Sequence, residues 1–370
     1  MIAKRFCLFL VLLLPVSLGA AAQTVPMPEI KEAMRKAYNF DRDTFEWFRA
    51  KAKETDEPLW YFLAASACYW EYQSDRVNLM KRDQARDYLD DAVGFSRDYY
   101  KDHRDDVEAM FLCGVSYCNR ARFNVEEKKW FHAYLDAREG MGILNDLVDE
   151  HPDYYDAYFA LGVAECFLSD APVLLKPLAK LIGFSGSREE GIRKLEKSIQ
   201  MGQWTSTEAE YYLAYYYYKV EDNGPESIRL FSSLLERYPR NPMFGYFLGR
   251  GYQINREAMK ALDAYRKIRD NCYEVDAVDM GNWTTFRIGT ILQGNHLDDD
   301  ALVEYNRLKK RLTEVTRTQE YYYLLPLKIA EALIEKGDIE TARRYLEVIR
   351  PEWDRDTYKR AQELLKEIDR

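Results

Sequence analysis

The chain has 370 residues, 47% hydrophobic and 31% charged, a balance that excludes a disordered polar chain. Eighteen Gly and twelve Pro are too few for a collagen-like or low-complexity protein. A formal charge of −9 with no basic cluster makes the chain a poor binder of nucleic acid or of an anionic membrane.

Lys4 and Arg5 precede an unbroken apolar run from Phe6 to Leu14, followed by Pro15 and Val16. Ala20-Ala21-Ala22 then supplies the small residues of a cleavage site, which predicts a secretory signal peptide over 1–22, cut before Gln23. An uncleaved anchor is the alternative, but a spanning helix needs roughly 20 apolar residues and this run is shorter. No Cys stands at the cleavage site, and no later segment is long and apolar enough to span. The expectation is an exported chain, periplasmic or associated with the cell envelope in a bacterium and otherwise secreted. Loss of Lys4 and Arg5 would take the charge from −9 to −11. Cleavage also removes Cys7, and the remaining cysteines are too sparse and odd in number for a disulfide framework.

From residue 27 nearly every segment repeats apolar residues at three- and four-residue spacing, with Pro or Gly between segments, which predicts helices. One frame of about 34 residues organises them into pairs. Small residues at positions 8 and 20 let two antiparallel helices approach closely, and large ones at 7, 11, 24 and 27 fill the space between units. Residues 27–56 form a degenerate pair. Leu63-Ala64 opens a unit completed late by Ala85, Leu89 and Ala92. Gly114 and Tyr117 open the next, completed late by Gly140, Leu144 and Leu147 and closed by Pro152. Leu161-Gly162 opens a third, whose second helix carries Gly191, Leu195 and Ser198. The intervening stretch, Pro172 to Gly186, is apolar, and Ser187-Arg188-Glu189-Glu190 reads as a capping box.

The span 23–206 is therefore degenerate, whereas 207–356 is regular. Its units carry Leu213, Ala214 and Tyr217 with Ser227, Phe231 and Leu234; Leu248, Gly249 and Tyr252 with Ala261, Tyr265 and Ile268; Ile288, Gly289 and Leu292 with Ala301, Tyr305 and Leu308; and Ile329, Ala330 and Leu333 with Ala342, Leu346 and Ile349. Residues 353–369, within a capping segment 353–370, form an amphipathic helix that covers the last apolar face.

This frame resembles the tetratricopeptide repeat. The stretch from Gly183 through Gly191, and more broadly 170–255, is similar to the tetratricopeptide-repeat-39-like family and to bacterial exported repeat proteins of unassigned role. The resemblance implies a helical-repeat fold and no catalytic residues. The signal peptide departs from the family's mitochondrial members, so their location does not carry over. The fold expected is an all-α, right-handed solenoid of seven or eight helix pairs with a C-terminal capping helix.

No chemistry-bearing motif stands out. Gly183-Phe184-Ser185-Gly186 lacks the spacing of a nucleophile elbow and reads as a turn and cap. His103, His132, His151 and His296 show no metal-ligand spacing, and no metal or cofactor is expected. Asp298-Asp299-Asp300 reads as a solvated helix start that suits the helix dipole. Cys68, Cys118 and Cys166 each occupy position 12 of their units, and structural thiols are expected, because stacked helices stand 8–10 Å apart and a disulfide needs closer approach. Asn282-Trp283-Thr284 matches a glycosylation acceptor, relevant only in a eukaryote.

The concave surface is the functional candidate. The tetratricopeptide resemblance places positions 2, 5, 9 and 12 of the first helices on it, giving Phe111, Phe159, Tyr211, Tyr215, Tyr218, Tyr246, Arg250, Gln253, Trp283 and Phe286. Aromatic rings offer large contact area at low entropy cost, and Arg250 could pair a carboxylate. At least half of the Tyr215–Tyr218 run must be core. The expected role is a non-enzymatic adaptor for a protein or peptide partner, with no nucleic acid and no membrane span. The alternative is a carrier of a small apolar ligand or glycan, with the 172–186 stretch closing a pocket.

Overall fold

The computed structural model describes residues 27–169 and 187–370; the expected signal peptide and the apolar stretch at 172–186 lie outside them. Among the described residues there are seventeen α-helices and no strand. They are α1 (Met27–Tyr38), α2 (Arg42–Thr55), α3 (Pro58–Ser74), α4 (Leu79–Asp102), α5 (Val107–Glu126), α6 (Trp130–Glu150), α7 (Ala157–Ser169), α8 (Arg188–Met201) and α9 (Ser206–Lys219). There follow α10 (Gly224–Arg237), α11 (Pro242–Ile254), α12 (Ala258–Glu274), α13 (Val278–Gly294), α14 (Asp298–Lys309), α15 (Glu320–Glu335), α16 (Ile339–Glu347) and α17 (Arg355–Ile368). The chain is a helical-repeat solenoid of consecutive pairs, each helix packing on its neighbours in sequence.

Short polar residues start the helices. Asn241 caps α11 by accepting from the Met243 and Phe244 amides, and Asp106 caps α5 through Glu108 and Ala109. Ser187 accepts from the Glu190 amide at 3.3 Å, as the capping box predicts. The reciprocal partner differs, however: the Ser187 amide donates to Glu165 Oε2 at 3.3 Å, while Glu190 pairs with Arg193. Within the pairs, the turns use a left-handed residue after the first helix. Arg256 and His296 hold φ near 60° where the equivalent Gly337 has 79°, so two of these three turns accept a strained side chain.

Positions 8 and 20 do what close packing demands. A Cβ on Gly249 would stand 2.4 Å from the Tyr265 ring, and one on Gly289 would stand 2.3 Å from Tyr305. Those tyrosines are buried and donate to Gln253 and Gln293 at 2.7 and 2.8 Å, so one motif recurs in both units. The late second helices of the N-terminal units have a simple cause: α4, α5 and α6 run 24, 20 and 21 residues, and the extra sequence lengthens helices.

The solenoid curls tightly enough for its start to meet its middle. Trp70 of α3 sets its ring edge-on against Tyr211 at 4.9 Å and Phe244 at 5.7 Å, and Tyr38 packs on Tyr238 at 5.1 Å. Asn241 Nδ2 donates to the Tyr38 carbonyl at 2.8 Å, and Arg42 pairs with Asp276. One continuous apolar core therefore runs from Ile30 to Ile329. A smaller core, with Ala330, Leu346 and Leu364, seats α17 at the far end.

A titratable group sits at this closure. The Asp279 amide donates to Asp75 Oδ1 at 3.1 Å, and the Asp279 carboxylate accepts from the Tyr321 hydroxyl at 2.8 Å. Burial pushes the Asp279 carboxyl up to about 6 against the pull of the Tyr321 hydroxyl, and the neighbouring Asp75 adds to the rise. The folded state thus holds the proton more tightly than the unfolded chain. Its contribution is full below the ordinary 3.8 and is lost as pH rises through 6. Asp279→Asn, which stays neutral, is expected to add up to about 3 kcal/mol near neutral pH and almost nothing near pH 4. Urea unfolding at both pH values checks this; an equal effect at both would remove the titration from the account.

Candidate functional site

The curl divides the predicted concave residues into two groups. Phe111, Phe159, Tyr211, Tyr246 and Phe286 are buried, and in this fold a partner cannot reach them. Phe111 packs on Phe62 of the preceding unit and on Tyr154 of the α6–α7 link, whereas Tyr211 packs on Phe231 and Phe244 of its own and the next unit and, across the curl, on Trp70. Gln253 is half-buried, but its carbonyl oxygen is committed to Tyr265. In the tyrosine run, Tyr216 is wholly buried while Tyr215, Tyr217 and Tyr218 are half-buried.

Where α3, α5, α7, α9 and α11 converge they leave a cavity of about 30 Å³. That is room for one or two waters, not for a sugar or an acyl chain. The Arg122 guanidinium lies between the Tyr69 and Tyr212 rings at 4.9 and 4.7 Å, with its Nε buried and unpaired. Opposite, Glu208 accepts from the Tyr38 hydroxyl at 2.6 Å and keeps its second oxygen buried without a partner. Burial pushes the Glu208 carboxyl up.

The remaining residues form a strip on α9, α11 and α13. Tyr215 stands edge-on to Phe247 at 5.2 Å, and Tyr218 lies 5.7 Å from the same ring. Arg250 stacks over Tyr218 at 5.4 Å, and Arg287 over Trp283 at 5.3 Å. Trp283 is braced edge-on against Tyr321 at 5.2 Å. The two guanidinium charges act on one phenol: burial pushes Tyr246 up, and Arg287 and Arg250 nearby pull it back. Each of these arginines has a buried Nε with no acceptor, and neither joins an ion pair among the described residues. Sequence reading finds Arg250, at position 9, but misses Arg287 and Phe247, which lie outside positions 2, 5, 9 and 12.

The family comparison agrees with the geometry. Residues 157–283 match the family model described as Iml2/Tetratricopeptide repeat protein 39, a span that contains the stretch 170–255 singled out in the sequence. The matched span is similar to tetratricopeptide repeats. Yeast Tom70 aligns with a TM-score of 0.44 and 13% identity over 76% of this chain and 60% of its own, so the present chain spans about three fifths of that protein. The C-terminal part of a tetratricopeptide protein from Cytophaga hutchinsonii aligns with a TM-score of 0.38 and 17% identity, over 79% of this chain and all of its own. A search of curated protein sequences gave no match.

The other groups weighed in the sequence have structural settings. Cys68, Cys113, Cys118 and Cys272 are free thiols, and Cys166 is buried. Burial pushes Cys68, Cys118 and Cys272 up to about 12, which leaves them unreactive near neutral pH. Cys118 and Cys166 face the tetratricopeptide small positions Gly140 and Gly191, where close packing sets their size. His103 stacks on Tyr99 at 4.0 Å, and Asp298, Asp299 and Asp300 form the first turn of α14. Among the described residues, no group of His, Cys, Asp and Glu is placed to hold a metal ion, and no helix is long and apolar enough to cross a membrane.

Proposed function

We propose that the chain is an exported, non-enzymatic scaffold that holds an acidic, extended segment of a protein partner along the strip from Tyr215 to Trp283. The observation that carries this reading is the pair of arginines, Arg250 and Arg287, whose charges both act on Tyr246 and which join no ion pair among the described residues. The chain has 62 acidic residues against 53 Lys and Arg, so its cations do not lack potential mates. Two guanidiniums left without a carboxylate, with their stems buried and their planes fixed on Tyr218 and Trp283, are preorganised for an anionic group from outside. The half-buried rings supply apolar contact around it. The periplasm or cell envelope of a bacterium is the setting that the N-terminal sequence supports.

The test is capture of the partner by cross-linking in envelope extract. The double variant Arg250→Ala with Arg287→Ala is expected to lose about tenfold or more of the captured protein. Its circular dichroism should match wild type, since both side chains are half-exposed. Equal capture by wild type and a folded variant would defeat the reading.

A further inference from the structure

The turn between α5 and α6 exposes a knob that the concave strip does not use. Trp130 is 64% exposed and Phe131 69%, and Val125 and Leu135 are exposed beside them. The Trp130 indole N–H has no protein acceptor among the described residues. Lys128 and Lys129 immediately precede these rings, are exposed, and join no ion pair among the described residues. The acids beside them are turned inward. Glu126 accepts from Tyr69 and Gln73, both at 2.6 Å, and Glu127 pairs with Arg86 at 3.5 Å. The knob is therefore apolar at its tip and positive at its base. The start of α4 stands at the same edge of the solenoid, because both are first turns of second helices, and it exposes Leu79 and Met80.

We propose that this turn is a peripheral membrane-contact site, at which Trp130 and Phe131 enter the interfacial layer of a bilayer and Lys128 and Lys129 meet its anionic headgroups. An indole with a free N–H suits a boundary that offers both apolar depth and acceptors. Lysines at the rim of such a tip keep their charge in water among the phosphates. A convex tip with a cationic base matches a deformable anionic surface. The chain's net negative charge argues against such binding when read from composition alone. Acids more than about 8–10 Å away are screened at physiological salt, so the local charge governs.

The experiment is vesicle co-sedimentation with the chain from Gln23 onward, which contains every contact described above and lacks the apolar leader. Vesicles of phosphatidylcholine with about one third phosphatidylglycerol are compared with phosphatidylcholine alone. The wild-type chain should sediment with the anionic vesicles, and Trp130→Ala with Phe131→Ala should cut the bound fraction about tenfold or more. Lys128→Gln with Lys129→Gln should abolish the preference for anionic vesicles. All four side chains are exposed, so both variants should keep the wild-type circular dichroism. No sedimentation of wild type, equal sedimentation of the aromatic variant, or full anionic preference in the lysine variant would each overturn the proposal. So would a wild-type dimer in analytical ultracentrifugation that the aromatic variant loses while neither chain binds vesicles; that result would assign the knob to a second copy.

Discussion

Asp156→Ala is expected to cost at least about 4 kcal/mol in urea unfolding, an unusually large loss for one carboxylate. Asp156 is buried at the start of α7 and accepts from four donors in the link between α8 and α9. Its Oδ1 takes the Trp204 and Thr205 amides at 2.7 and 2.8 Å and the Thr205 hydroxyl at 2.9 Å, and its Oδ2 takes the Gln203 amide at 2.9 Å. Alanine would leave three backbone N–H groups without acceptors, two of them, Trp204 and Thr205, buried where water does not reach. Asp156→Asn keeps one oxygen in place and should lose only the Gln203 bond, at about 1–2 kcal/mol. The ratio between the two variants is the informative quantity. Equal, small losses would mean that the link between α8 and α9 is held by packing alone.

Trp70→Ala carries the second large effect, about 3–5 kcal/mol. Its ring fills the junction among Tyr38, Tyr211 and Phe244, which belong to α1, α9 and α11. A linear repeat array would confine the damage to α3 and its sequence neighbours, since each unit contacts only the next. A curled array should also lose amide protection in α11, far along the chain. Hydrogen exchange by mass spectrometry separates the two. Faster exchange in both 58–74 and 242–254 is the expected result, and faster exchange in 58–74 alone would deny the closure.

The repeat logic was legible in the sequence because it is local. Gly249 and Ala261 mark a close helix approach, Tyr265 fills the space that Gly249 leaves, and the pattern returns 40 residues later at Gly289, Ala301 and Tyr305. The helix start at Ser187 was legible for the same reason. The closure was not legible. It depends on the curvature of the whole array and on pairs such as Tyr38 with Tyr238, which no local spacing reveals. Hence Phe159 and Tyr211, which would line an open groove, lie in the core where the curl closes. Gln253 looked available because its partner, Tyr265, was assigned only a packing role. Asp156 gave no signal, being one of two acids in the stretch from His151 to Asp156 with no pattern to set it apart. Arg287 falls outside the concave frame and enters the site only because α13 stacks on α11, which turns its guanidinium toward Tyr246.

These placements leave one half of the concave face filled by the chain itself and the other half, on α9, α11 and α13, available to a partner. The most direct test places a photo-cross-linking amino acid at position 283, beside Arg287, in cells that express the chain. A control probe goes at position 196, on α8 and away from the strip. The account predicts a discrete cross-linked protein from position 283, absent from position 196 and lost when Arg250 and Arg287 are both alanine. A cross-link that survives both arginine changes, or that forms equally from position 196, would contradict it.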